Sequence, residues 1–270
     1  MAKKEVKKDV PAVRTGTKVA LPQDWQQQMA KYAQKASKSA EAFGQGGNWL
    51  SFKGGVLSTK GATIPNNETE AVVLTSVLEN LFYVDAFDPN NPAQPVCYAF
   101  GTDKEEMAPH EKSPDKQNGD CPSCPHNKFG SAAQGRGKAC KNQVRLALIP
   151  YGDGSYEALA EGELTFAKLP PTSGGNWSTF VGATQAMYPN LAPFAHVVRI
   201  KVIPDSKSQF KVTFTHVQKL SQDQLHAVFS RVAEAEQAIV PADPFPPIQE
   251  AAPPPPKARS RNAPQAKRKY

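Results

Sequence analysis

A chain of 270 residues with 39% hydrophobic and 21% charged side chains carries enough apolar material for one substantial core or two small ones. No run approaches the ~18 consecutive apolar residues of a membrane-spanning helix, and the opening MAKKEVKKDVPAVRTGTK lacks the apolar stretch of a secretion signal, so a soluble, cytosolic protein is expected. The formal charge of +7 does not by itself mark a polyanion binder, because residues 1–18 carry +4 and residues 251–270 carry +6, which leaves the body at −3.

In chain order, residues 1–20 read as a disordered basic arm. The segment PQDWQQQMAKYAQKASKSAEAF then places Trp25, Met29, Tyr32, Ala36, Ala40 and Phe43 on one helical face, and GQGG at 44–47 ends it. NWLSFKGGVLS and TEAVVLTSVLENLFYVDAF, separated by turn-rich STKGATIPNNE, predict strands in a hairpin or meander. Residues 97–142 interrupt this pattern as an apolar-poor insert. Strands resume at QVRLALIP, YEALAEGELTFAKL, AHVVRIKVIP and QFKVTFTHVQKL, where Phe210, Val212, Phe214 and His216 share a face. A short helix is predicted through NWSTFVGATQAMY on Trp177, Phe180, Val181 and Thr184. A final helix is predicted from the capping-box pair Ser221 and Gln224, with Leu225, Val228, Phe229, Val232 and Ile239 as its apolar stripe. Residues 241–270 read as a Pro-rich tail ending in basic residues. The strand count predicts a mainly β, α+β protein built on a small, decorated barrel, with its core in residues 21–240.

Four cysteines, Cys97, Cys121, Cys124 and Cys140, stand in the pattern C-x23-C-x2-C-x15-C. The C-x2-C turn brings two thiolates to ~2.3 Å from one ion, and four such ligands close a tetrahedral zinc site. An insert this poor in apolar residues has little else to hold it. Competing readings are a redox Cys-Pro-Ser-Cys pair, which here follows a polar loop and not a strand, unconnected reduced cysteines, and iron–sulfur ligation by the same thiolates. His110 and His126 are expected to be surface histidines. A zinc closed by four thiolates has no open position and staples the fold without acting as a Lewis acid.

Between Pro125 and Arg145 lie Lys128, Arg136, Lys138, Lys141 and Arg145 and no acid. Gly130, Gly135 and Gly137 would let backbone N–H groups approach a phosphate. GSAAQGRG has the glycines of a nucleotide phosphate loop but Arg136 and Gly137 where that motif needs Lys and Ser/Thr, so nucleotide hydrolysis is not expected. Cations beside Phe129 instead suit single-stranded nucleic acid, whose phosphates pair with Lys/Arg while exposed bases stack on rings. Trp49, Phe52, Phe82, Tyr83, Tyr98 and Phe100 are further stacking candidates, with Phe52, Lys53 and Tyr98 preferred. The bland alternative is a solvated charged face and rings that belong to the core.

Taken together, NWLSFKGGVLS, PVCYAFG, MAPHE, CPSCPHNKFGSAAQGRGKACKN and LALIP resemble a family of single-stranded-DNA-binding proteins of tailed bacteriophages. The resemblance covers residues 48–150 closely and runs more loosely through KLPPTSGGNWSTF to the last helix. It implies an OB-like barrel with an inserted metal knuckle, in the host bacterial cytoplasm, coating single-stranded DNA during replication or recombination. Such proteins often end in an acidic, partner-recruiting tail, whereas this chain ends in RNAPQAKRKY. A non-catalytic binder is therefore expected, with a zinc-stabilised adaptor of phage replication or transcription proteins as the alternative. An enzyme finds no Walker, H-E-x-x-H or G-x-S-x-G sequence. Oligomeric state is not legible.

Overall fold

The computed structural model describes residues 48–84 and 93–240, with Met29, Lys31, Pro244 and Phe245. The expected basic arm, the helix through Trp25–Phe43 and the Pro-rich tail otherwise lie outside the described residues. The chain divides into two units, residues 1–47 and 48–270, and the sheet with its covering helices belongs to the second.

This second unit is mostly β, with few helices. Its strands are β1 (Trp49–Ser51), β2 (Ser58–Thr59), β3 (Ala62–Thr63), β4 (Glu68–Phe82), β5 (Cys97–Gly101), β6 (Lys141–Pro150), β7 (Thr165–Leu169), β8 (His196–Asp205) and β9 (Gln209–Lys219). They form one sheet in the order β3-β2-β1-β7-β6-β4-β8-β9, with β5 also on β4, and the sheet curls into a half-barrel. Every pairing is antiparallel except β1 with β7.

Strand β4 is the spine. Along one edge it pairs with β6, from Ala71↔Pro150 to Leu81↔Lys141. Its other edge is shared, Glu68–Val72 with β8 and Leu78–Phe82 with β5. Consecutive side chains of a strand point to opposite faces, so the unbroken run Ala71-Val72-Val73-Leu74 feeds two cores at once. Ala71 and Val73 join Leu146, Leu148, Ile200, Val202 and Val212 on one face, and Val72 and Leu74 join Ala147, Ile149 and Val197 on the other. A bulge between Val73 and Thr75 shifts the register partway along.

Helices cover both faces. On the first lies α2 (Pro171–Met187), which buries Trp177, Phe180 and Thr184; the short helix α1 (Tyr156–Ala160) and α3 (Gln222–Ile239) cover the second through Leu159, Val228, Ala235 and Ile239. Helix α2 begins five residues before the predicted segment. Thr-Ser-Gly-Gly is a poor helical start by propensity, but Pro171 is preorganised for the first turn, and Gly174 allows close packing on Val144. Helix α2 also blunts the free edge of β9: Ser173 Oγ accepts from Val212 N at 2.9 Å, and Asn176 Nδ2 donates to Val212 O at 2.7 Å.

Two other expectations are corrected. YEALA was predicted to be strand but forms α1, capped by Ser155 Oγ, which accepts from Ala158 N. The chain turns out of it at Gly162, where a Cβ would lie 2.3 Å from Ala158 O. On α3 both bonds of the Ser221/Gln224 capping box are present, but Phe229 of the predicted stripe is 70% exposed, and Ala227 and Ala235 are buried instead. His216 shares a face with Val212 as predicted and lies ring to ring with the fully buried His196 at 5.1 Å. Burial, followed by His216 and Lys219, pushes the His196 pKa down.

No helix among the described residues is long and apolar enough to cross a membrane. Trp177 is 5% exposed and stacks on Phe180 at 5.5 Å. Trp177→Ala should therefore cost about 3–5 kcal/mol in chemical denaturation, whereas Phe229→Ala should shift stability by less than about 1 kcal/mol.

Candidate nucleic-acid interface and metal centre

Everything that carries chemistry hangs from the far end of β4. Cys97 opens β5 directly opposite Phe82, so it belongs to the sheet, and the insert proper is the stretch 102–140 between β5 and β6. Cys140 immediately precedes β6, and its N–H donates to His126 O at 2.8 Å. Between them, Cys121 N donates to Met107 O at 2.8 Å, and Cys124 leads into the 3-10 turn Pro125–Asn127. Asn127 Nδ2 reaches back to Cys121 O at 2.8 Å, which fixes the Cys-Pro-Ser-Cys turn.

All four cysteines are free thiols and line one cavity of about 20 Å³, together with Asn80, Tyr98 and His126. A void of that size has room for about one water-sized body. Cys121, Cys124 and Cys140 are buried and Cys97 half-buried. Burial, reinforced by Cys121, Cys124 and Cys97, pushes the Cys140 thiol up to about 12. Burial likewise raises Cys121, against the lowering effect of an Asn80 hydrogen bond. Four thiols that face one small, largely apolar space are a donor set that a soft divalent cation would stabilise as thiolates. Among the described residues, however, no three His, Cys, Asp or Glu groups stand in a ready-made coordination arrangement. The sulfurs share a cavity, not a shell. Of the two histidines expected at the surface, His126 stacks on Phe82 at 4.2 Å and His110 stacks on Tyr98 at 5.2 Å, and both are half-buried.

The glycine-rich loop closes on itself. Gly130 N donates to Arg136 O and Gly137 O, and Ala132 N donates to Gly137 O. The Gly130 and Ala132 N–H groups are therefore spent internally and are not free to meet a phosphate. The turn does need glycine at Gly130 and Gly135, whose φ values are 87° and 78°.

The closed loop presents Phe129, 82% exposed, with Lys138 Nζ 5.2 Å from its ring centre. Lys138 is anchored by Asn127 Oδ1 at 3.1 Å and Asn142 Oδ1 at 2.9 Å. Lys128 Nζ donates to Pro122 O at 2.7 Å. Lys141 is exposed and lies 4.9 Å from the Tyr83 ring, and Arg136 is exposed at the closure of the loop. Among the described residues none of these four cations forms an ion pair with a carboxylate. Asp120, whose carboxyl lies below the usual range, is held there chiefly by the Ser123 hydroxyl and N–H, with Lys128 contributing least.

Three predicted contact residues are removed by burial. Phe52 is 5% exposed in the first core, under the same cover as Leu50 and Leu57. Tyr98, 3% exposed, is enclosed by Phe100, His110 and Phe245. Arg145, 5% exposed, is an internal cation: its Nη2 binds Glu79 Oε1 at 2.6 Å, and its Nη1 donates to the Ile239 carbonyl at the end of α3. Lys168 Nζ donates to Glu79 Oε1 at 3.1 Å and lies 3.0 Å from Oε2, and burial pulls its pKa down against the pull of Glu79. Trp49 is half-buried against Phe166 and beside the Arg145 guanidinium. Lys53 is exposed on a turn whose Gly55 packs on Phe210, on a different strand from those bearing the insert.

The sequence reading missed the Glu79–Arg145–Lys168 network and the pairing of Tyr83 with Lys141. A visible signal for the first was a glutamate within the apolar run VLENLF. Scans against protein-family models and searches of curated proteins and of solved structures gave no match.

Removing one partner of a buried ion pair strands the other charges. Glu79→Gln should destabilise the fold by about 3–5 kcal/mol in urea denaturation, whereas Glu163→Gln, which loses the exposed pair with Lys60, should change it by less than about 1 kcal/mol.

Proposed function

We propose that the protein is a non-catalytic single-stranded-DNA-binding protein whose contact surface is the face of the insert and of the adjoining end of the sheet. The observation that carries this reading is Phe129, an aromatic ring 82% exposed beside the closure of the loop, set among cations that form no ion pair with a carboxylate among the described residues. A ring set beside cations can stack the π-face of a base while those cations meet its phosphates. Arg136, Lys128 and Lys141 are placed to meet phosphates, with Tyr83 beside Lys141 as a second, half-buried platform. This set supersedes Phe52, Tyr98 and Arg145. The basic residues of 251–270 would add phosphate contacts, and the resemblance of residues 48–150 to phage proteins fits a role in coating single strands during replication or recombination in a bacterial cytoplasm. The mostly β half-barrel with its few helices is compatible with the expected α+β class, and binding at the insert does not require a closed barrel.

In this reading Cys97, Cys121, Cys124 and Cys140 hold one zinc ion. Four thiolates leave the ion no open position, so it supplies folding energy and no Lewis-acid chemistry. The second reading, a zinc-stabilised adaptor for phage replication or transcription proteins, is favoured by one observation: Phe229 stands 70% exposed on α3, edge-on to the Phe194 ring at 5.9 Å.

Metal analysis of the purified protein should give about one zinc per chain, as one tetrahedral site requires. The double variant Cys121→Ser/Cys124→Ser should lose it, and the stretch 102–140 should become protease-sensitive. Unchanged stoichiometry in the variant would overturn the assignment.

Anisotropy of a labelled oligothymidylate at several salt concentrations tests the interface. Changing Lys128, Arg136 and Lys141 together to Ala should weaken binding and lower the slope of log affinity against log salt by about two, at about 0.7 per phosphate contact. Phe129→Ala should cost about 1–3 kcal/mol with the slope unchanged, because stacking displaces no counterions. Full affinity in both variants would move the function to the adaptor reading.

A further inference from the structure

Beside the insert lies a cavity of about 500 Å³, lined by Leu78, Asn80, Met107, Lys128, Asn142 and Gln143 among others. It is far larger than the cysteine void and lies within the range of small-molecule sites, ~300–1,000 Å³. Its origin can be read from the register of β4 and β6. Leu78 sits opposite Val144, and two residues farther on Asn80 sits opposite Asn142, so one face of the sheet changes from apolar to carboxamide in a single step. Val144 belongs to the first core and packs near Gly174 of α2, whereas at Asn80 the opposing wall is made by the insert through Met107, Pro122 and Asn127.

The polar groups are partly committed and partly open. Asn142 Nδ2 donates to Asn80 Oδ1 at 2.5 Å, while Asn80 Nδ2 meets two sulfurs, the Met107 thioether at 3.7 Å and the Cys121 thiol, both weak acceptors. Asn142 Oδ1 accepts from Lys138, which leaves its second N–H unspent among the described residues. Lys104, Lys128 and Lys138 ring the cavity, with Glu105 as the one acid in its lining. An apolar floor, one carboxamide held only by weak sulfur acceptors and one with an N–H to spare, and a cationic rim suit a flat heterocycle with a polar edge joined to a phosphate. An inorganic anion would leave most of this volume and the apolar floor unused.

Resting on the single-stranded-DNA reading above, we infer that this cavity seats one unstacked nucleotide of the bound strand, its base against Leu78 and Met107, its edge toward Asn80 and Asn142, and its phosphates toward Lys104 and Lys128. Phe129 then stacks a different base outside the cavity, and the strand passes between the two.

The full chain bound to an oligothymidylate carrying 4-thiothymidine should, on irradiation, cross-link to peptides containing residues 78–80, 104–107 or 142–143. Thymidine 5′-monophosphate added as competitor should remove these cross-links, and 2-deoxyribose 5-phosphate should not, because the base is what the cavity holds. Lys104→Glu, at an exposed rim position, should reduce them without unfolding the protein. Cross-links confined to Phe129 or Tyr83, or equal competition by the sugar phosphate, would overturn the cavity assignment and leave the DNA-binding reading intact. An oligomer that neither binds nor cross-links would overturn both.

Discussion

The fold depends on the register between β4 and β6. It is an antiparallel ladder from Ala71↔Pro150 to Leu81↔Lys141, buried on both faces over most of its length. A slip of one residue would carry every side chain to the opposite face. Here that would exchange the two cores, and at the far end it would separate Asn80 from Asn142 and Glu79 from Arg145. The same ladder therefore holds the apolar middle of the protein and positions its polar end. The bulge at Val73/Thr75 lies between those regions.

That polar end is where the insert is attached. β5 brings Cys97 alongside Phe82, and β6 starts one residue after Cys140, so two of the four sulfurs are fixed by strands and two by the turn at Cys121–Cys124. A metal bound there would link the sheet to the loop. The buried charges beside it do related work. Glu79 takes Arg145 and Lys168 from two neighbouring strands, and Arg145 ties them to the carbonyl end of α3, where a cation is also favoured by the helix dipole. Such a network adds little net stability over an apolar replacement, but losing one of its partners would strand the other charges.

Charge and exposure divide the cations of the insert into distinct groups. Arg145 is internal, and Lys138 is held by two amide oxygens as a strut between loop and sheet, close to the Phe129 ring. Lys128, Arg136 and Lys141 remain without acidic partners among the described residues. A local basic island can act on a polyanion even though the body carries a net negative charge, because screening confines electrostatics to about 8–10 Å at moderate salt. The internal closure of the loop spends the Gly130 and Ala132 N–H groups, so the exposed cationic side chains carry the phosphate contacts.

Much of the architecture was legible in the residue pattern. Period and β-branching marked β4, β6, β8 and β9, Ser221 and Gln224 marked the start of α3, and the cysteine spacing marked four thiols that do share one cavity. These are local signals, set by side-chain alternation and capping. What the pattern could not decide was which of two faces a residue takes and what covers it. Phe52 and Phe129 are both rings beside a lysine or within reach of one, yet the first is 5% and the second 82% exposed. Arg145 reads as one more basic residue of the insert until β4 brings Glu79 beside it, from 66 positions away. YEALA became helix because Ser155 caps it and Leu159 has a core to enter. Burial is a property of the assembled sheet and its helices, so only the tertiary structure could separate the rings and charges that hold the fold from those left facing solvent.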